Sequence, residues 1–191
     1  MTEEQKYTVE RKFPKFEVRR YEACVFADVT VSANFEAAGS IAFRSLIGYI
    51  SGNNEPNKKI AMTSPVVQES KSKDLATNIA MTSPVIQESS NNLQIVSFVM
   101  PAGMTLDDLP LPTNSKVSLR EISEQLVAVA RFTGRWTESA YERQLAQLRQ
   151  QLDQNGMTEI SPPRYARFDP PWTPSFLRRN EIQIPIAALT Q

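Results

Sequence analysis

The chain has 191 residues, room for one domain or for one domain made of two similar halves. Lys plus Arg and Asp plus Glu number 21 each and no long basic run occurs, so neither a nucleic-acid groove nor an electrostatic membrane patch is expected. Histidine is absent and Cys24 stands alone, which excludes Ser-His-Asp and Cys-His catalysis, imidazole or cysteine-cluster metal sites, and an intramolecular disulfide. The opening "MTEEQKYTVERKF" lacks an apolar signal core, and no run reaches the ~18 apolar residues of a membrane helix. A soluble protein of the reducing cytoplasm, without membrane insertion, is expected.

Two strands are predicted over "FEVRRYEACVFADVTVS" (16–32), with Val25, Ala27, Val29 and Val31 on one side. Asn34 is a suitable N-cap for a helix in which Phe35, Ala38, Ala42, Phe43, Leu46, Ile47 and Ile50 recur at helical spacing. "SGNN" stops it. Then "IAMTSPVVQES" (60–70) is written again, with one change, as "IAMTSPVIQES" (79–89). Each copy alternates as a strand, and "KSKDLATN" between them predicts a hairpin centred near Asp74 that does not pair Met62 with Met81. Pro65 and Pro84 lack a ladder donor and belong at a bulge or an edge. Only two copies exist, which excludes a repeat array.

A further strand is predicted over "NLQIVSFVM" (92–100), followed by the proline-rich loop "LDDLPLPTNS". The strands "KVSLREIS" and "QLVAVARF" lead to a helix over 138–154, with Tyr141, Leu145, Leu148 and Leu152 on its apolar stripe and Asn155-Gly156 at its end. Late strands are predicted at "RYARFD" and "NEIQIPI". The halves correspond at an offset of 101: Val18-Arg19 with Leu119-Arg120, Ala27 with Ala128, Phe35 with Trp136. The second helix is polar on its outward face. The first carries only Glu36 and Arg44 as charges, and its face away from the stripe reads Ala37, Ser40, Ile41, Arg44, Ser45 and Gly48. Such a helix needs a second cover. The proline-rich loop, a second subunit or a ligand would each serve.

The blocks "NKKIAMTSPV" (57–66), "VSFVMP" (96–101) and "FDPPWTPSFLRRNEI" (168–182) together resemble the SOUL / haem-binding protein family, and "ARFTGRWTESAYERQLAQLR" (130–149) looks like its second helix and lead-in. The resemblance runs from about Tyr7 to Ile186. It implies a distorted antiparallel barrel with two helices, and binding of haem or other tetrapyrroles in a shallow apolar groove beside the first helix. Some bacterial members similarly carry the Ile-Ala-Met-Thr motif twice. Porphyrin-binding relatives place basic residues on the first helix at positions matching Ser40 and Gly48, and another in the late loop at Thr173. None of these three can pair with a propionate, so Arg44, one turn from Ser40 and from Gly48, is the substitute. An axial histidine proposed for some relatives has no counterpart here.

The expected fold is α+β: one domain over 1–191, with two pseudo-symmetric β-β-α-β halves, about 16–100 and 117–187. These form a distorted antiparallel barrel or curved sheet with two main helices on one face, a ferredoxin-like duplication. The expected function is tetrapyrrole binding, with Ser40, Phe43, Arg44, Ile47, Trp172 and Phe176 as ligand-binding residues and no cofactor required for folding. Met62, Met81 and Cys24 are the candidates for an iron ligand, against the plain reading of each as a core residue. Arg178 and Arg179 could neutralise propionates or pair structurally with Glu181 or Asp169. The alternatives are an enzyme of tetrapyrrole metabolism, such as one removing haem iron, and an effector-binding module for another flat amphiphile. No P-loop, dinucleotide or metalloprotease motif occurs.

Overall fold

The computed structural model describes residues 3–56, 59–70, 93–170 and 172–188. Strands β1 (Glu3–Glu4), β2 (Tyr7–Lys12), β3 (Glu17–Tyr21) and β4 (Cys24–Ser32) precede helix α1 (Phe35–Ile50). The short β5 (Asn54–Glu55) and β6 (Thr63–Ser64) lead to β7 (Val66–Ser70) and β8 (Leu93–Val99). After β9 (Leu111–Pro112) come β10 (Val117–Ile122), β11 (Gln125–Phe132), helix α2 (Glu138–Gln154), β12 (Arg164–Arg167) and β13 (Asn180–Pro185). Both helices start as their sequences ask. Asn34 Oδ1 accepts from the Ala37 amide at 2.8 Å, and Thr137 Oγ1 accepts from the Ala140 amide at 3.4 Å.

Nine strands form one antiparallel sheet in the order β10-β4-β8-β7-β12-β13-β11-β3-β2. Strand alternation decides what each face carries. Val25, Ala27, Val29, Val96 and Phe98 lie under Ala38, Ala42 and Leu46 of α1. Val18, Ala128, Ile182 and Ile184 lie under Tyr141, Leu145, Leu148 and Leu152 of α2. Cross-strand partners run Ala27, Phe98, Val66, Arg167 on one side of this surface and Tyr165, Ile182, Ala130 on the other, so both helices share one face. The expected α+β class and two-helix curved sheet are found.

The sheet is curled into a half-barrel. Arg120 on β10 pairs with Asp28 on β4 at 2.6 Å and comes within 3.6 Å of Glu69 on β7, three strands along. In a flat sheet those strands stand roughly 14 Å apart. The helix-free face is therefore folded on itself and carries buried ion pairs: Arg164–Glu69 at 3.0 Å and Arg19–Glu181 at 3.1 Å.

Consecutive strands β3 and β4 do not pair with each other. β3 lies against β11, with Val18 opposite Ala128, and β4 lies against β10, with Ala27 opposite Leu119. These two ladders have the same register at the 101-residue offset. Two strands of the large sheet follow each helix, β7 and β8 after α1 and β12 and β13 after α2, one more than the expected β-β-α-β unit has.

The hairpin expected between the twin segments needs correction. Pro65 falls at the break between β6 and β7, as its missing donor requires. β7 then has β8 on one edge and β12 on the other, so both edges are filled and neither is open to a twin strand. A period-2 pattern identifies a strand but not its neighbours. The second copy, with Met81 and Pro84, lies outside the described residues.

Candidate functional site

The outer side of α1 is open to solvent along its N-terminal two-thirds, with Ile41 and Phe43 exposed on either flank of Ser40 and Arg44. Ile41 is 54 % exposed and Phe43 41 %, although Ala38, Ala42 and Leu46 beside them are buried. The Phe43 ring meets buried Phe98 edge-on, centroids 5.5 Å apart, so the sheet anchors it while part of it faces solvent. Ile47 is half-buried at the stripe's border, and Ser40 and Arg44 are exposed. Among the described residues Arg44 makes no ion pair.

At the C-terminal end the cover is the proline-rich loop. Tyr49, which the sequence reading left out of the stripe, is buried, and its hydroxyl donates to the Pro110 carbonyl at 2.9 Å. Leu109 is buried in the α1 core beside it. Gly48 packs closely on Asn53: an added Cβ would lie 3.1 Å from its side-chain nitrogen, which would have to shift slightly to admit it.

Trp172, Phe176 and Leu177 are exposed in the 168–179 loop, at 83, 71 and 62 %. The loop beneath them is firmly tied. The Gly134 amide donates to the Ser175 carbonyl at 3.1 Å, and Arg178 donates to the Thr173 carbonyl at 2.7 Å while stacking 4.3 Å over the Trp136 ring. Arg179 pairs with Glu181 at 2.9 Å and Glu4 at 3.0 Å, and its amide bonds to Asp169. Arg179 has the expected partners Glu181 and Asp169, whereas Arg178 is held by the Thr173 carbonyl and the Trp136 ring.

Arg167 connects this region to α1. Its guanidinium lies 5.4 Å from the Phe35 and Trp136 rings and donates to Gln68 Oε1 at 2.8 Å. It passes so close to Gly39 that an added Cβ would sit 2.7 Å from Nη1. Gly39, Tyr49, Trp136 and Arg167 were not among the site residues read from sequence. The alignment of Trp136 with Phe35 at offset 101 was the one available signal.

The iron-ligand candidates stand apart. Cys24 alternates with Phe26 onto the helix-free face, where its Sγ accepts from Gln5 Nε2 at 3.3 Å, so it faces away from the α1 groove. Burial pushes its thiol up to about 11, against the pull of Arg164, Gln5 and Arg120, and leaves it protonated at neutral pH. Met62 is 38 % exposed, just ahead of β6. Met81 lies outside the described residues. No group of three or more Cys, Asp or Glu is placed to hold a metal ion among the described residues.

A separate cleft of about 630 Å³ opens between the β2–β3 turn and α2, and no residue of α1 lines it.

An antiparallel half-barrel with two helices on one face, one of them presenting apolar side chains to solvent, is the class this chain falls into. Residues 2–185 match the family described as SOUL heme-binding protein, and the chain belongs to that family. No curated protein matches it. Among solved structures it resembles the EcmrR C-terminal domain at 12 % identity and TM-score 0.62, over 96 % of this chain and 99 % of that one. A hydrolase from Listeria innocua is similar at 11 % identity and TM-score 0.57, over 93 % and 94 %. SAV2435 bound to tetraphenylphosphonium is similar at 10 % identity and TM-score 0.50, over 91 % and 94 %. At these identities the likeness is one of fold alone.

Proposed function

We propose that this protein binds haem or a related tetrapyrrole on the outer face of α1, through apolar contact and without histidine. The observation that carries the proposal is the exposure of Ile41 and Phe43 beside Arg44 on a helix whose other face is buried. Exposed Trp172 and Phe176 supply further flat apolar surface on the neighbouring loop. These residues suit a porphyrin ring. They do not suit its iron, because Cys24 faces the other side of the sheet and no imidazole exists in the chain. The family match supports tetrapyrrole binding in general, and the lone thiol suits a cytoplasmic carrier or buffer. Among the described residues no helix is long and apolar enough to cross a membrane.

The magnitudes point to modest affinity. Burying apolar surface gains about 25 cal/mol per Å². A micromolar complex needs ~8 kcal/mol net of the association cost. Ile41, Phe43 and Ile47 reach that only if a cation meets a propionate, and Arg44 is the cation on this face.

The test is a parallel titration with hemin and metal-free protoporphyrin. Both should bind within a few-fold of each other, and Phe43→Ser and Arg44→Ala should weaken both alike by about tenfold. A preference for hemin of about a hundredfold, ~2.7 kcal/mol, would overturn the metal-indifferent groove and return Met62 or Met81 as a ligand. Free-porphyrin fluorescence developing from added hemin would instead mark an enzyme that removes iron.

A further inference from the structure

The nine-stranded sheet forks at one point. The β3–β11 ladder ends at the pair Glu17–Val129, while β11 continues through Ala130, Arg131 and Phe132 against β13 alone. Beyond that point the β2–β3 turn swings away, closed by the Phe13 amide donating to the Phe16 carbonyl at 2.9 Å. The gap between the turn, the freed edge of β11 and helix α2 is the cleft of about 630 Å³. Its volume is that of a small-molecule site.

The lining has a definite chemistry. Phe16, Ala130 and Leu148 make a buried apolar floor. Phe13 and Phe16 stack with centroids 4.3 Å apart and planes 2° from parallel, giving one wall a flat aromatic face. Gln144, Gln147 and Gln151 line the opposite wall from one side of α2 and offer amide donors. The charges are four cations, Lys15, Arg19, Arg131 and Arg179, against the single carboxylate of Glu17. Arg19 and Arg179 are already paired with Glu181, and Glu17 with Arg19. Lys15 and Arg131 stand exposed at the rim, and among the described residues neither has an ion-pair partner. In a chain whose charges balance at 21 and 21, this is a local positive field beside an apolar floor.

We infer that this cleft is a second ligand site, distinct from the α1 face, which takes a flat aromatic carboxylate. The ring system lies on the Phe13–Phe16 wall and the Leu148 floor, and the carboxylate meets Lys15 and Arg131. A cationic ligand would be repelled by the two rim cations, and a neutral one would leave them without a partner. The inference does not depend on porphyrin binding at α1.

Calorimetric titration with 2-naphthoate tests it, with 2-naphthalenemethanol as the uncharged control. The carboxylate should bind at least about tenfold more tightly than the alcohol, and a Lys15→Gln/Arg131→Gln double variant should lose about tenfold for the carboxylate alone. Both positions are exposed, so the variant's melting curve should match the parent's. Phe43→Ser, which lies on α1, should leave 2-naphthoate binding unchanged. Equal affinity for the alcohol and the carboxylate, no loss in the double variant, or loss of 2-naphthoate binding on Phe43→Ser would each overturn the second site. Absence of hemin binding, with 2-naphthoate still bound, would fail the α1 proposal alone.

Discussion

Cys24 sits one strand position from the α1 core, and that one position decides its chemistry. Val25 points under the helix, while Cys24 points into the helix-free cluster with Phe26, Val67 and Val99. Burial raises its folded pKa from 9.0 to about 11, so folding favours the protonated thiol. Its contribution to stability is complete below about pH 9 and is lost as pH rises through about 11. Native protein should therefore react slowly with iodoacetamide near neutral pH and rapidly once unfolded. Cys24→Ala should flatten the fall in urea midpoint between about pH 9 and 11. Rapid native alkylation near neutral pH would show the thiol to be accessible and ionised. The residue type and its strand were legible in the sequence, and so was the alternation. The side on which the helix would land was not.

Helix α1 shows what an element owes to its surroundings. Glycine in a helix interior costs about 1 kcal/mol relative to alanine, so Gly39 looks like a defect when read alone. The packing explains it: Arg167 from β12 lies across the helix where a Cβ would be, held by Phe35, Trp136 and Gln68. Burial lowers the pKa of this guanidinium, so moving it into a worse site is costly. Gly39→Ala should destabilise by about 1 kcal/mol despite its better propensity. In an Arg167→Met background the same change should stabilise by about 1 kcal/mol. A double-mutant cycle by urea denaturation measures this reversal, and additive effects would refute the contact. Both helices were legible from spacing and the Asn34 cap from residue type, whereas the Thr137 cap of α2 was not read. Tyr49 was left out although it stands at i+3 from Leu46 and i+7 from Ala42; what spacing could not show is that its hydroxyl reaches the proline-rich loop.

Across the whole molecule, the helix-free face is held by charge where the other face is held by helices. Glu181 is fully buried on β13, accepts from Arg19 of β3 at 3.1 Å, and pairs with Arg179, which in turn holds Glu4 near the N-terminus. Removing one member of a buried pair leaves its partner charged and unsolvated. Glu181→Ala should cost about 3 kcal/mol, because Arg19 would keep only the half-buried Glu17 and Arg179 only Glu4. Glu10→Ala, which breaks only the exposed pair with Arg20, should cost far less. Thermal and urea denaturation of the two variants would settle the comparison, and similar losses would mean the buried network is not what closes this face. Charge counts showed balance in the sequence, but nothing in them said that the balance is made locally and out of water.

The sequence by itself determined the α+β class, the family, both helices, the Asn34 cap and most strands. Each of these rests on spacing within a few residues or on a contiguous block, and such patterns act without knowledge of the rest of the chain. Tertiary structure alone decided that β3 crosses to β11 and β4 to β10, and that β7 lies between β8 and β12. It also brought Arg167 against Gly39 and set the β2–β3 turn opposite the glutamines of α2. Alternation specifies which face of a strand is buried but is silent about which strand lies beside it. Register and neighbour are chosen by the curl of the whole sheet around its two helices.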